Sequence, residues 1–224
     1  YDLVDDPTET RDVAAEHAER VAEMAERWRR EAWHNTVFPL DDEGDLFRYR
    51  PETEAALAEP VVLPPFRPPL ERFRSAKLTV LRSFRVLIDV RFDADAAGVL
   101  VAHGDQGGGY LVAIDDGAPL LVYNAYGVMH RARGRAVSPG SHLLVLRVDE
   151  LPDLHWRLSL EIDGEEHAVI ERVPMLLGMA PFTGISVGYD YGGPVDWDLY
   201  ERHRTYRFRS GELHSVAYEP GVPT

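Results

Sequence analysis

The stretch that decides the fold runs from Gly98 to Gly127 and reads GVLVAHGDQGGGYLVAIDDGAPLLVYNAYG. It contains three short apolar runs, Val99–Ala102, Tyr110–Ile114 and Leu120–Tyr123, separated by clusters of Gly and Asp. Apolar runs of this length, bounded by turn residues, are typical of antiparallel strands joined by hairpins. A strand meander buries little surface alone, so it needs a second sheet to cover its apolar face.

Three consecutive glycines, Gly107 to Gly109, lie inside this stretch. A glycine run can cradle a phosphate, but the cradle needs a following helix and a basic residue, and neither follows here. We interpret the run as a flexible hairpin corner.

Further strand patterns lie on both sides of the meander. The ranges 84–92 and 156–162 alternate apolar and polar residues, which predicts strands with one buried face. The range 142–148 is apolar on both faces, which is typical of a central strand. Short strands that recur roughly every 8–12 residues indicate an antiparallel β-sandwich or jelly roll.

The beginning of the chain has a different character. Residues 1–35 are predicted to form a helical segment, because an apolar stripe recurs at helical spacing there: Val21, Met24, Trp28 and Ala32. Such a stripe must dock on another surface. Residues 36–74 are dense in proline, which blocks helices and central strands and predicts an extended connecting arm. Residues 75–224 are predicted to form the sandwich domain.

The net charge, the length of the apolar runs and the absence of cysteine limit the partners and the cellular compartment that we expect. The net charge is −14, so nucleic acid is not an expected partner, and no apolar run approaches the roughly 18 residues of a membrane span. Cysteine is absent, which removes disulfides and thiolate chemistry and suits a reducing compartment. We therefore expect a cytoplasmic protein. The chain opens on Tyr1 rather than Met, so we expect it to be a piece of a longer protein.

One loop carries the candidate ligand-binding residues. Around Gly192-Gly193-Pro194 they are Asp190, Tyr191, Asp196, Trp197 and Tyr200. The aromatic side chains there can stack on a sugar or an aryl group, or they can pack the loop itself. The aspartates, together with Asp198, can bind Ca²⁺ or cap backbone amides in a turn. We favour the capping interpretation and predict no metal site.

Two local basic runs stand out in this acidic chain. If Arg131, Arg133 and Arg135 lie on a strand, they share one of its faces; a second run covers residues 202–209. Such a face can bind a sulfate or a carboxylate. It can equally pair with the acidic residues of the chain, which is the interpretation that we favour.

A serine motif, Gly184-x-Ser186-x-Gly188, fits the G-x-S-x-G pattern of a nucleophile elbow. That elbow needs a helix directly after the serine, and Tyr-Asp-Tyr-Gly-Gly-Pro follows instead. We interpret the motif as a strand without a catalytic role.

The opening of the chain, residues 1–42, resembles the C-terminal end of the catalytic domain in arylsulfatase-type sulfatases. The positions that carry this likeness are Tyr1, Asp2, Leu3, Asp6, Pro7, Glu9, Asp12, Ala14, Trp28, Pro39, Leu40, Asp41 and Asp42. The remainder resembles the extra β-sandwich domain that larger bacterial members carry after this core. Its phrases include Gly98-Val99-Leu100, Gly108-Gly109-Tyr110 and Val187-Gly188-Tyr189-Asp190-x-Gly192-x-Pro194-Val195.

This resemblance implies a parent enzyme that hydrolyses sulfate esters with a formylglycine and a divalent cation, Ca²⁺ or Mg²⁺. The formylglycine motif is C/S-x-P-x-R; this chain has no Cys, and none of its serines is followed by x-Pro-x-Arg. We therefore expect no catalytic residue and no cofactor in this chain. The expected partner is the sulfatase catalytic domain of the same parent chain, and homo-oligomers are a further option.

We predict a mainly β fold: an antiparallel β-sandwich or jelly roll of the concanavalin or laminin-G type, preceded by an N-terminal α-helical segment. Its expected role is non-catalytic: structural, shaping the entrance to the parent's active site, or joining subunits. The alternative is a lectin-like module that binds carbohydrate.

Overall fold

The computed structural model of this chain describes residues 1–38, 56–177 and 180–223. The chain divides into two compact units, Tyr1–Pro51 and Glu52–Thr224, and each is described by itself. Part of the Pro-rich arm, including Pro39 and Pro51, falls outside the described residues. The divisions at residues 35 and 74 stay predictions.

The N-terminal unit contains the predicted helix. A 3₁₀ turn, Ala14–His17, leads into α1, Ala18–His34. Of the apolar stripe only Ala32 is buried, whereas Val21, Met24 and Trp28 are 45%, 60% and 53% exposed. The Trp28 ring meets the ring of Phe38 edge-on, 5.2 Å away. Within its own unit, this stripe is therefore left open to solvent.

The described residues of the second unit form ten strands and two short α-helices. The strands are β1 (Val61–Leu63), β2 (Arg82–Asp105), β3 (Gly108–Asp115), β4 (Ala118–Ala125), β5 (Val128–Arg133), β6 (Gly140–Leu151), β7 (His155–Ile162), β8 (Glu165–Pro174), β9 (Ile185–Val187) and β10 (Arg209–Pro223). The helices are α2 (Arg72–Thr79) and α3 (Trp197–His203). None of the helices in the described ranges combines the length and the apolar character needed to cross a bilayer.

The long strand β2 belongs to both sheets of a sandwich. Its first half, Phe84–Phe92, pairs with β6 and β10, and sheet A has the order β1-β10-β2-β6-β7-β8. Its second half, Gly98–Asp105, pairs with β3 and β9, and sheet B has the order β9-β2-β3-β4-β5. Every pairing is antiparallel, so the predicted antiparallel β-sandwich with an N-terminal helix is confirmed.

The two faces of the sandwich are covered differently. Strand β6 is central, as predicted, but only one of its faces is buried: Leu144, Leu146 and Val148 are in the core while Leu143 is 45% exposed. Every residue of β3 and β4 is buried, on both faces. The outer side of sheet A is thus open, and the outer side of sheet B is covered.

Helix α2 crosses the predicted boundary between the arm and the sandwich. The Glu71 side chain caps it by accepting hydrogen bonds from the amides of Phe73 (2.6 Å) and Arg74 (2.7 Å). Such a cap satisfies amides that a helix start leaves without partners. The chain therefore makes two helical turns across residue 74 before the strands that dominate the rest of the domain begin with β2.

The glycines of the β2–β3 hairpin are packed rather than flexible. Gly104 has φ +114°, and a Cβ there would lie 2.2 Å from the carbonyl oxygen of Gly108. A Cβ on Gly109 would lie 2.3 Å from the carbonyl oxygen of His103. Gly108 and Gly109 are buried within β3. The predicted hairpin corner is present, and glycine there permits close approach of two backbones.

We predict that Gly104→Ala destabilises the sandwich by more than about 2 kcal/mol, because the new methyl group meets backbone atoms that cannot move aside. The matched control is Gly117→Ala, since Gly117 also has positive φ (+72°) but a Cβ added to it would meet no atom within 4 Å. The control is expected to lose about 1 kcal/mol, the backbone cost alone. Urea unfolding measures both, and equal losses would contradict the close approach.

Candidate functional site

A covering segment, residues 189–206, closes the outer side of sheet B. Apolar side chains on that side of the sheet form a second cluster with three residues of the segment, Val195, Leu199 and Tyr206. The sheet contributes Val99, Ala102, Leu111, Ala113, Leu120 and Val122. Removing this apolar area from water stabilises the segment on the sheet.

The Asp196 carboxylate holds the start of α3. It caps the helix by accepting hydrogen bonds from the amides of Asp198 (3.0 Å) and Leu199 (3.2 Å). Arg131 on β5 donates to both of its oxygens, at 2.6 and 2.9 Å. Burial disfavours the charged form, but the hydrogen bonds from Arg131 and the helix amides outweigh it and lower the pKa of Asp196. Asp196 is therefore a buried, ionised anchor.

Asp115 holds the other end of the covering segment. Its carboxylate is 2% exposed and pairs with Arg133 of β5. The Tyr206 hydroxyl lies 2.9 Å from Oδ1 of Asp115, and the His203 ring stacks on Tyr206 at 4.1 Å. Arg131 and Arg133 are thus both paired with buried carboxylates, and Arg135 forms an ion pair with Glu165 at 3.3 Å. The arginines of this basic run therefore pair with acidic residues of the chain, as the favoured interpretation predicts.

Asp190 lies at the start of the segment and joins it to the segment's end. Its Oδ2 accepts a hydrogen bond from the Val195 amide (2.9 Å), and its own amide donates to the Thr205 carbonyl (2.9 Å). The Asp190 side chain is buried, and no described residue hydrogen-bonds its Oδ1. Burial, reinforced by the charges of Asp196 and Asp105, raises the pKa of Asp190 to about 7.

These aspartates do not make a calcium site. The oxygens of Asp196 face Arg131 and helix amides, and Asp198 pairs with Arg131 at 2.8 Å. Across the described ranges, no group of three or more His, Cys, Asp or Glu side chains is arranged to hold a metal ion. Ca²⁺ needs six to eight oxygen ligands, and one unpartnered oxygen on Asp190 does not supply them.

Unlike the buried Tyr206, the other aromatic residues of the segment lie at least partly at the surface. Trp197 and Tyr191 are 50% and 55% exposed, whereas Tyr200 is half-buried. The rings of Trp197 and Tyr200, one helical turn apart on α3, lie 5.5 Å from each other. Tyr189 and Tyr191 form a second pair, edge to face at 6.0 Å. We call the rings of Trp197, Tyr200 and Tyr191 the aromatic surface.

Two arginines of the second basic run stack on aromatic rings, a contact that the sequence pattern does not specify. The guanidinium carbon of Arg204 lies 5.5 Å from the centre of the Tyr200 ring. That of Arg207 lies 4.1 Å from the centre of the Phe66 ring. The run itself is visible in the sequence, but which of its members pair with acids depends on the sheet beneath.

Ser186, the serine of the G-x-S-x-G motif, is buried. Its hydroxyl donates a hydrogen bond to the Tyr189 carbonyl at 2.8 Å, so it is not presented as a nucleophile.

Comparison with solved structures shows sandwich domains of the same fold. The CBM40 module of the Ruminococcus gnavus IT-sialidase, bound to α2,3-sialyllactose, is 14% identical with a TM-score of 0.51, covering 74% of this chain and 91% of that one. The same module bound to α2,6-sialyllactose is 12% identical, with a TM-score of 0.50 over 73% and 94% of the two chains. Domains LG4–5 of the mouse laminin α1 chain are 11% identical, with a TM-score of 0.43 over 72% and 39%.

No family model matches this sequence, and no curated protein does either. At these identities the likeness is one of fold, which agrees with the predicted sandwich.

We predict that Asp196→Ala costs about 2–4 kcal/mol of unfolding free energy, because it removes a helix cap and leaves Arg131 without its buried partner. Asp198→Ala is the matched control: this residue also contacts Arg131, but its side chain is 72% exposed. The control is expected to cost less than about 1 kcal/mol. Urea unfolding at neutral pH measures both, and similar losses would contradict the anchoring role.

We predict that Asp190→Asn changes how stability depends on pH. The pKa of Asp190 is about 7 in the folded chain and about 3.9 in the unfolded chain. Between these values the folded state holds a proton that the unfolded state releases, so wild-type stability falls as pH rises from about 4 to about 7. Asparagine does not titrate, so the variant lacks this loss of stability with rising pH. The stability of Asp190→Asn relative to wild type should rise by on the order of 2–4 kcal/mol across this window; parallel curves would contradict it.

Proposed function

We propose that the sandwich is a non-catalytic module that binds carbohydrate through the aromatic surface. The observation that carries this proposal is that Trp197 is half exposed and lies beside Tyr200 on a helix fixed to sheet B. Exposed aromatic rings offer flat apolar faces on which the C–H faces of sugars stack, with little entropy to lose on binding.

The anchoring of α3 supports this function. Asp196 and Arg131 fix its start, and Leu199 is 3% exposed against the sheet beneath. The Trp197 indole N–H donates to Glu201 at 3.1 Å, which sets the orientation of the ring. A ligand therefore meets rings that are already ordered, so less binding energy is lost in ordering them.

The fold is compatible with such a role. The R. gnavus CBM40 module has the same kind of sandwich and was solved with sialyllactose bound. This likeness supports carbohydrate binding as a class of function. The residues proposed to contact sugar, Trp197, Tyr200 and Tyr191, come from this chain's own surface, and Asp190 and Asp196 position the segment that carries them.

We predict that Trp197→Ala weakens glycan binding at least about tenfold, since it removes the larger ring of the stacking pair. An array of neutral and acidic oligosaccharides, including lactose and α2,3-sialyllactose, identifies the best ligand, and calorimetry then compares the variants. Trp28→Ala is the control, because Trp28 is equally exposed (53% against 50%) but lies in the N-terminal unit. Equal binding by wild type and Trp197→Ala would overturn the proposal.

A second candidate function is that the chain is the C-terminal portion of an arylsulfatase-like hydrolase. The open stripe of α1 favours it, because Met24 and Trp28 are 60% and 53% exposed at helical spacing. A helix with such a stripe usually packs on another surface. A preceding catalytic domain of the same parent would supply that surface, along with the formylglycine and the divalent cation. The carbohydrate-binding module would then be the accessory domain of that enzyme. Light scattering tests the other way of covering the stripe, since a mass of two or more copies of the purified chain would indicate self-association.

We predict that the purified chain does not hydrolyse p-nitrophenyl sulfate, with or without Ca²⁺ or Mg²⁺. No Cys or Ser in the sequence lies in a C/S-x-P-x-R context from which formylglycine could form. Release of p-nitrophenol above the buffer rate, copurifying with the folded chain, would contradict this assignment.

A further inference from the structure

The feature that carries a further inference is Arg204, at the end of α3. Its backbone adopts φ 60° and ψ −128°, a conformation that normally favours glycine. Its amide donates to the Tyr200 carbonyl at 2.7 Å. This turn brings the side chain back over its own helix, with the guanidinium on the face of Tyr200. The strained conformation thus places a cation beside the aromatic surface.

Arg204 differs from the arginines around the covering segment that lie against carboxylates. Arg131 and Arg133 are paired with Asp196 and Asp115, and Arg202 lies 3.8 Å from Asp115. Within the described part of the chain, the Arg204 side chain has no hydrogen bond or ion pair and is exposed. Its five N–H donors are therefore available to a ligand.

Both acidic residues of α3 already accept hydrogen bonds from other side chains. Asp198 accepts a hydrogen bond from Arg131 at 2.8 Å, and Glu201 accepts one from the Trp197 indole at 3.1 Å. The net charge of −14 acts over the whole surface. Exposed charges beyond about 8 Å are largely screened at physiological salt, so the local arrangement decides what binds.

We propose that Arg204 binds the anionic group of an acidic sugar, a carboxylate or a sulfate ester, while the sugar stacks on Trp197 and Tyr200. This inference rests on the carbohydrate-binding function proposed above and names its ligand class. A guanidinium meets the oxygens of either group with two parallel hydrogen bonds, and such charge-assisted pairs are stronger than neutral ones. Stacking on Tyr200 leaves the edge of the guanidinium free for this contact.

The test compares ligands that share one neutral core. The folded chain is titrated with lactose, 3′-sulfated lactose and α2,3-sialyllactose, and an array of other neutral glycans with their sulfated and sialylated forms extends the set. We expect wild type to bind at least one acidic form about tenfold more tightly than its neutral core. Arg204→Gln should reduce that affinity to the level of the core and leave binding of the neutral glycan unchanged.

The matched control is Arg207→Gln, which removes another exposed arginine stacked on a ring, Phe66. It should keep the preference for the acidic form. Equal binding of neutral and acidic glycans by wild type, or a preference that survives in Arg204→Gln, would overturn this inference and leave the carbohydrate-binding proposal intact. A folded wild-type chain that binds no member of the array would overturn both. The sulfated and sialylated arms show which anionic group is bound.

Discussion

The arrangement of this sandwich depends on one constraint: strands β3 and β4 are apolar on both faces. A two-layer sandwich buries one face of each sheet, so the outer face of sheet B would expose Leu111, Leu120 and Val122 to water. Residues 189–206 remove that cost by lying across the sheet with Val195 and Leu199 against it. The aromatic surface exists because this segment has a second side, which faces solvent.

Charged pairs fix the covering segment in place. Asp196, at the start of α3, and Asp115, on β3 against Tyr206, are almost completely buried, and each has an arginine of β5 as its partner. A buried carboxylate is tolerated only where cations and hydrogen bonds replace water. Asp190, at the start of the segment, has an amide partner but no cationic partner among the described residues, and its raised pKa follows from that difference. The arginines used in these pairs are unavailable to an external anion, whereas Arg204, within the covering segment itself, stacks on Tyr200 beside Trp197.

Local patterns in the sequence predict much of this fold, and the reasons for the exceptions are specific. Alternation and Gly-Asp turns are local features, and they locate the meander from the second half of β2 to β4, as well as β7 and the hairpins. The transfer of β2 from sheet A to sheet B is set by its partners, which are distant in sequence, so Phe84–Phe92 and Val99–Ala102 read as separate strands. Helix α2 depends on a single cap, Glu71, in a proline-rich context that masks it.

The sequence is enough to place the candidate residues in one loop, but not to show what each side chain contacts. Asp190, Tyr191, Asp196, Trp197 and Tyr200 do lie in one segment on one sheet. Their spacing alone cannot show that the aspartates face the protein and that Trp197 faces solvent, because both depend on the contact with sheet B. Whether these residues bind a ligand stays a prediction.

The most direct measurement uses the indole N–H signals of the four tryptophans in a ¹H–¹⁵N NMR titration with the best glycan ligand. Trp156 is buried in the core, and Trp28 and Trp33 lie in the N-terminal unit. The account predicts that the Trp197 signal shifts on titration while the other three stay in place. A saturable titration that leaves Trp197 unmoved, or that moves only Trp28 or Trp33, would contradict a carbohydrate-binding surface on the segment that covers sheet B.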